Sequence, residues 1–331
     1  MVKRISLERE LALWKGGKPL GPDETETFRA LIERHKGAVE GLSCTDREVA
    51  YNSVEIKFSL IGKDSFRASL IQARCEIERL ASERGYSVIW TNQPLHKVQG
   101  HNEYFTTMAF PELVAFLVHG NSLHIHFETG PEDAFRAYRQ MNALAPWFIL
   151  NSRHRNSVID RVDLVRAFRG CMGELFLPQL FTSDAEYSEY MARSSETVQK
   201  RLMESGNYDK ARAMFGRMFP ADGHISLTPD KVFHPARYRP DLLLPNGNLS
   251  VEFRGLDGIP EQQRELSMVE TAVAVYDAAL GEPDIMPMSV LRRFYDELSA
   301  SSRAYKIADE FIQETMKKTT GSYLEAVNDR A

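Results

Sequence analysis

Residues 233–257, FHPARYRPDLLLPNGNLSVEFRGLD, decide the reading of the fold. Asn246-Gly247 is a pair suited to the left-handed backbone of a tight hairpin turn. Strand-like runs flank it, so two antiparallel strands are predicted near 237–244 and 249–255. Alternate side chains leave opposite faces of a strand. Arg237 and Arg239 therefore share one face of the first strand, and Glu252 and Arg254 share one face of the second, with Val251 and Phe253 turned inward. A hairpin closed at that turn brings three guanidinium groups towards one carboxylate. Forked guanidinium donors suit phosphate or carboxylate oxygens, whereas a sheet held by apolar packing has no need of so many cations together. An anion site is the sharper reading, and a solvated cross-strand ion pair the plainer one.

The same spacing recurs upstream. In HGNSLHIHFETG (119–130), His124, His126 and Glu128 alternate with Leu123, Ile125 and Phe127, leaving two imidazoles and a carboxylate on a face that is costly to bury unliganded. An exposed polar face on an edge strand would also account for it. In YNSVEIKFSLI (51–61), Val54, Ile56 and Phe58 oppose Glu55, Lys57 and Ser59, which predicts a half-buried strand. A helix is expected over 64–84, a strand at 86–90, and a helix from Pro131 to about Leu150 that Pro146 kinks or restarts. Residues 157–218 read as mostly helical, and further helices are expected over 262–281, capped by Gly281, and over 287–318. Residues 5–37 read as two short helices broken by Gly16, Gly17, Pro19 and Gly21, with Leu11, Trp14, Phe28, Leu31 and Ile32 available for burial. Strands and helices without regular βαβ alternation predict an α+β fold with a largely antiparallel sheet. GxxxxGK[ST] is absent, and no GxGxxG follows a strand.

Composition bounds the partners. The chain has 331 residues, 43% hydrophobic and 26% charged, with a formal net charge of -5. Without a basic stripe, nucleic acid is not an expected partner. Cys44, Cys75 and Cys171 lie far apart without CxxC spacing, which argues against a zinc ribbon or a disulfide framework and for a reducing compartment. Charges interrupt the apolar positions of MVKRISLERELALWKGG, so neither a signal peptide nor a membrane span is expected there. A soluble cytoplasmic protein without a membrane partner follows. Leu291, Phe294, Tyr295, Leu298, Tyr305, Ile307 and Phe311, mostly at helical spacing, would pack on the domain or on a second subunit of a homo-oligomer.

Taken in order, these segments resemble a known family. LHIHFE resembles the LHVHVG-type strand of type-2 glutamate-cysteine ligases, and NALAPWFILNS the helix after it, which ends in Asn-Ser. LVRAFRG resembles their substrate-side arginine helix, FHPARYRPD with LSVEFRGLD their paired strands, and YNSVEIKFSL their opening strand. The resemblance runs from about 50 to 280 and implies a carboxylate-amine ligase with a glutamine synthetase-like catalytic fold. Such a fold is a curved, mainly antiparallel sheet forming an active-site funnel, with helices on its outer face. It further implies an N-terminal helical appendage over 1–44, the catalytic domain over 45–285 and a C-terminal helical region over 286–331. ATP and Mg²⁺ (or Mn²⁺) are the implied cofactors, and a small-molecule acid and an amine the implied substrates.

By position, the resemblance makes Glu55, His124 and Glu252 metal ligands and turns His126 towards the nucleotide phosphates. Arg239 and Arg254 become catalytic by neutralising charge during phosphoryl transfer, with Arg237 assisting at the phosphates. Asn151 and Arg166 face the acid substrate. The sequence departs from the pattern at Lys57, where the family carries a second acid, and in the short IGKDS connection that follows, so ligands for additional metals are missing. Either Lys57 supplies a fixed positive charge in place of a metal, or Glu128 holds a displaced ion. A pseudoenzyme that only binds a nucleotide or a partner, or a phosphotransferase of guanidino-kinase type, would also suit this architecture.

Overall fold

The computed structural model describes residues 4–48, 50–62, 65–93, 120–152, 161–162, 181, 183–204, 234–243, 247–279 and 292. Its main elements are β1 (Arg4–Lys15), β2 (Lys18–Pro19), α1 (Pro22–His35), β3 (Leu42–Arg47), β4 (Ser53–Gly62), α2 (Phe66–Ser82) and β5 (Ser87–Ile89). They are followed by β6 (Ser122–Thr129), α3 (Pro131–Ser152), α4 (Asp184–Glu204), β7 (Ala236–Leu243), β8 (Leu249–Asp257) and α5 (Gln262–Ala279). The strands build one open sheet in the order β3-β4-β1-β6-β8-β7, with β2 and β5 paired to β1. Every pairing is antiparallel. Mixed helices with an antiparallel sheet are what the sequence predicts, and α3 runs through position 146 as one helix.

One expectation is overturned. The stretch read as the first of two N-terminal helices is β1, which lies inside the sheet between β4 and β6. Ile5, Leu7, Leu11 and Leu13 alternate inward with Ser6, Glu8 and Glu10 on the other face, but Arg9 occupies an inward position and breaks the apolar stripe. Leu, Glu and Ala also favour helices intrinsically; pairing on both edges of β1 overrides that preference. The second helix of the pair is present as α1. Pro22 sits in its first turn with Asp23 and Glu24, and Arg34 and His35 close its last turn, as the helix dipole favours.

Helices cover the apolar face of the sheet. Leu70, Ala73, Ile77 and Leu80 form the buried stripe of α2 at helical spacing. Phe127 of β6 stacks on Tyr276 of α5 with ring centroids 4.0 Å apart, and Phe253 of β8 meets Phe148 of α3 edge-on at 5.0 Å. Tyr187 of α4 meets Tyr238 of β7 at 5.4 Å.

Arg9 is 1% exposed within this layer. Its guanidinium pairs with Glu265 of α5 and donates to the carbonyls of Trp90, Glu10, Ser122 and Ile259. Arg74 of α2 holds the other oxygen of Glu265 at 3.0 Å, and both guanidinium groups lie over the Trp90 ring. This clamp joins the sheet to α2 and α5.

Gly258 follows β8 directly and packs against the same junction. A Cβ there would lie 2.4 Å from the Trp90 carbonyl oxygen and 2.5 Å from that of Asn121, both backbone atoms. Gly258→Ala is therefore expected to cost about 2–3 kcal/mol, the size typical of a forced backbone shift in a packed region. A denaturant midpoint unchanged within error would refute that expectation.

Candidate active site

The opposite face of the sheet is polar, and its cross-strand register sets the geometry of the site. Glu8 of β1 lies opposite Lys57 of β4 on one side and His124 of β6 on the other. Glu10 lies opposite Glu55, His126 opposite Glu252, and Glu252 opposite Arg237. Side chains on directly opposed positions approach to about 5 Å between Cβ atoms, so five adjacent strands deliver one continuous polar cluster.

Glu8 is its centre. One carboxylate oxygen lies 3.3 Å from His124 Nδ1 and 3.5 Å from His126 Nε2, and the other lies 3.4 Å from Lys57 Nζ. Burial pushes the Glu8 carboxyl up, but the two imidazoles beside it outweigh that and hold it well below the usual carboxylate range. Glu252 is 3% exposed and receives Arg237 at 2.9 Å and Arg254 at 3.4 Å. Burial again raises its carboxyl, yet the two guanidinium charges bring it down to about 2. Its stabilising contribution is thus present above about pH 4.5 and is lost as pH falls towards 2.

Ligand atoms of Glu8, Glu55 and His124 lie within 4.8 Å of one another, as do those of Glu8, His126 and Glu252, and those of Glu10, Glu48 and Glu55. Two of these groups share Glu8 and two share Glu55. The set Glu55, His124 and Glu252 expected from the sequence is thus divided between neighbouring groups, and His126 joins Glu252 in one of them.

The chemistry of the donors suits a hard divalent cation. His126 Nδ1 lies 3.2 Å from Ser250 Oγ, and with the ring proton donated there, Nε2 presents a lone pair towards Glu8 and Glu252. That Nε2 is buried without a hydrogen-bond partner. An imidazole fixed through one nitrogen and open at the other is how metal-binding histidines are held.

The remaining predicted residues fall as follows. Arg239 lies opposite Ser250 in the β7–β8 ladder, with its side chain outside the described residues, and Arg166 is outside them altogether. Asn151 closes α3, where its amide nitrogen donates to the Trp147 carbonyl at 2.9 Å and its own carbonyl accepts from Arg264 of α5. Glu128 forms a bidentate pair with Arg4, 2.7 Å on each arm, and accepts from Asn248 at 2.9 Å, which favours a structural role over holding a displaced ion. The histidine strand is interior rather than an edge, because β6 lies between β1 and β8.

Two acids and an arginine went unread in the sequence. Glu8 and Glu10 lie on β1, and the alternation Ser6, Glu8, Glu10 would have exposed them had Arg9 not interrupted the inward stripe. Arg161 donates to Ser122 Oγ at 3.0 Å and lies 3.7 Å from Asp257. Burial brings its pKa down to about 10 against the pull of Asp257. A lone arginine whose partners are distant in sequence gives no sequence signal.

Glu55 behaves in the opposite way to Glu252. Burial and the neighbouring Glu8 and Glu10 charges push its carboxyl up to about 8, against the pull of Lys57. The cation-free fold then holds a proton at neutral pH that the unfolded chain does not, so this group makes stability fall as pH rises from about 4.5 to about 8.

The sequence matches no protein-family model and no curated protein. Among solved structures, the chain is similar to glutamate-cysteine ligase from Francisella tularensis in complex with AMP, with 12% sequence identity and a TM-score of 0.51. The alignment covers 99% of this chain and 81% of that one, so the likeness extends over the whole chain and concerns the fold. Among the described residues, no helix is long and apolar enough to cross a membrane.

Proposed function

We propose that this protein is an ATP-dependent ligase that joins a carboxylic acid to an amine on a glutamine synthetase-like fold. The observation that carries the reading is the gathering of Glu8, Glu55, His124, His126 and Glu252 on one sheet face, with Arg237 and Arg254 against Glu252. The fold shared with a ligase solved in complex with AMP supports it.

In this reading Glu8, His126 and Glu252 hold Mg²⁺ or Mn²⁺, with Glu55 and His124 beside them. A bound cation would screen the charge of the nucleotide phosphates. Arg254 and Arg237 face the γ-phosphoryl group and neutralise its equatorial oxygens as it moves, a role the resemblance also gives to Arg239. A substrate carboxylate oxygen attacks that phosphorus and ADP leaves. The amine nitrogen then attacks the acyl carbon, phosphate departs with the C–O bond electrons, and the nitrogen gives up a proton. Asn151 and Arg166 are assigned to the acid, which by resemblance is an amino acid. The free thiols of Cys44 and Cys75 suit the cytoplasm, where ATP is available.

The test is to incubate the purified chain with ATP, Mg²⁺ and pooled amino acids and amines, following ADP, phosphate and new masses. ADP with a new amide is the expected result. A stable phosphorylated acceptor would replace the reading with a kinase, and nucleotide binding without turnover would replace it with a pseudoenzyme.

A further inference from the structure

Three carboxylates converge on one ammonium at the β3–β4–β1 side of the polar face. Lys57 Nζ lies 2.9 Å from Asp46, 2.9 Å from Glu55 and 3.4 Å from Glu8. An ammonium has three N–H donors, so each can be directed at one of these acids. Lys57 is anchored on β4, two residues from Glu55 and on the same face, and its contacts with the three acids hold the charge at this corner. Glu8 and Glu55 are also two of the three donors in the group completed by His124.

We infer that Lys57 is a tethered substitute for one divalent cation: its ammonium fills the corner formed by Asp46, Glu55 and Glu8, and directs the exchangeable cation to Glu8, His126 and Glu252. The geometry separates the two positions. Lys57 takes one oxygen of Glu8, while the other oxygen faces His124 and His126. Glu252 lies on the far side of β1 and β6 from Lys57, with Arg237 and Arg254 as its partners. A point charge that cannot dissociate balances the acids at the first position without using a binding site there. A divalent ion would take those same oxygens. The inference rests on the proposed metal-dependent reading of this face, and it sets how many cations the site takes up.

The test counts bound Mn²⁺ per chain, without nucleotide, from the loss of the free-ion resonance in titrations of the native chain, Lys57→Met and Lys57→Arg. Lys57→Met leaves three acids without their ammonium and is expected to bind one Mn²⁺ more than the native chain. Lys57→Arg keeps the charge and should keep the native count. Equal counts for the native chain and Lys57→Met would overturn the inference while leaving the ligase reading intact. A native chain that binds no Mn²⁺ would overturn both the inference, whose exchangeable cation sits on Glu8, His126 and Glu252, and the metal-dependent ligase. Should Lys57→Met unfold in the absence of metal, melting with and without Mn²⁺ decides. A larger upward shift than in the native chain supports the inference, and an equal or smaller one overturns it.

Discussion

Glu8→Gln is expected to lower kcat/KM by about a thousandfold or more, at the upper end of what loss of a single charge-stabilising group costs. Glu8 is common to two of the three donor groups, so a neutral amide there weakens both at once. It also leaves His124 and His126 without the carboxylate that lies 3.3 and 3.5 Å from them. The amide keeps the size of the side chain, and the apolar packing of Ile5, Leu7 and Leu11 lies on the other face of β1. Thermal stability should therefore change far less than activity. Turnover within tenfold of the native chain, or loss of the folded state together with activity, would remove Glu8 from the centre of the site.

Arg9→Met should have the opposite signature: a large loss of stability. Removing one partner of a buried ion pair costs about 3–5 kcal/mol, because the groups left behind stay desolvated without their charge. Here the guanidinium serves Glu265 and the carbonyls of Trp90, Glu10, Ser122 and Ile259. Burial lowers the Arg9 pKa while Glu265 supports the charged form, so the buried cation depends on that acid. The cost should appear as a fall in Tm of about 4–7 degrees, given the slope usual for chains of this size. The double variant Arg9→Met with Glu265→Gln should cost less than the sum of the two single losses, since both residues belong to one buried network that Arg74 completes. If the two losses simply add, the clamp is not a coupled unit.

These two residues are neighbours in sequence, and together they explain what the sequence could and could not reveal. The hairpin β7–β8 was legible because Asn246-Gly247 marks its turn, and β4 and β6 because polar and apolar residues alternate without a break. β1 was not, since the inward Arg9 has a partner in Glu265 that lies more than 250 residues away. A charge on an apolar stripe becomes intelligible only when the acid that neutralises it is brought alongside. With β1 read as a helix, Glu8 and Glu10 have no place on the sheet, and the metal set Glu55, His124 and Glu252 is what the family resemblance implies. Alternation brought those three to one face; the division into neighbouring groups follows from strand order, which local patterns do not encode. Arg161 was illegible for another reason: its contacts with Ser122 and Asp257 depend on tertiary proximity.

The central claim is that one divalent cation sits between Glu8, His126 and Glu252 next to the phosphates of a bound nucleotide. Crystals of the chain grown with Mn²⁺ and a non-hydrolysable ATP analogue, measured for the anomalous signal of manganese, test it directly. The account predicts a manganese peak within bonding distance of those three side chains, with a phosphate oxygen on the same ion and Arg254 on the terminal phosphate. Manganese at other side chains, with this face bare and the nucleotide elsewhere, would contradict it.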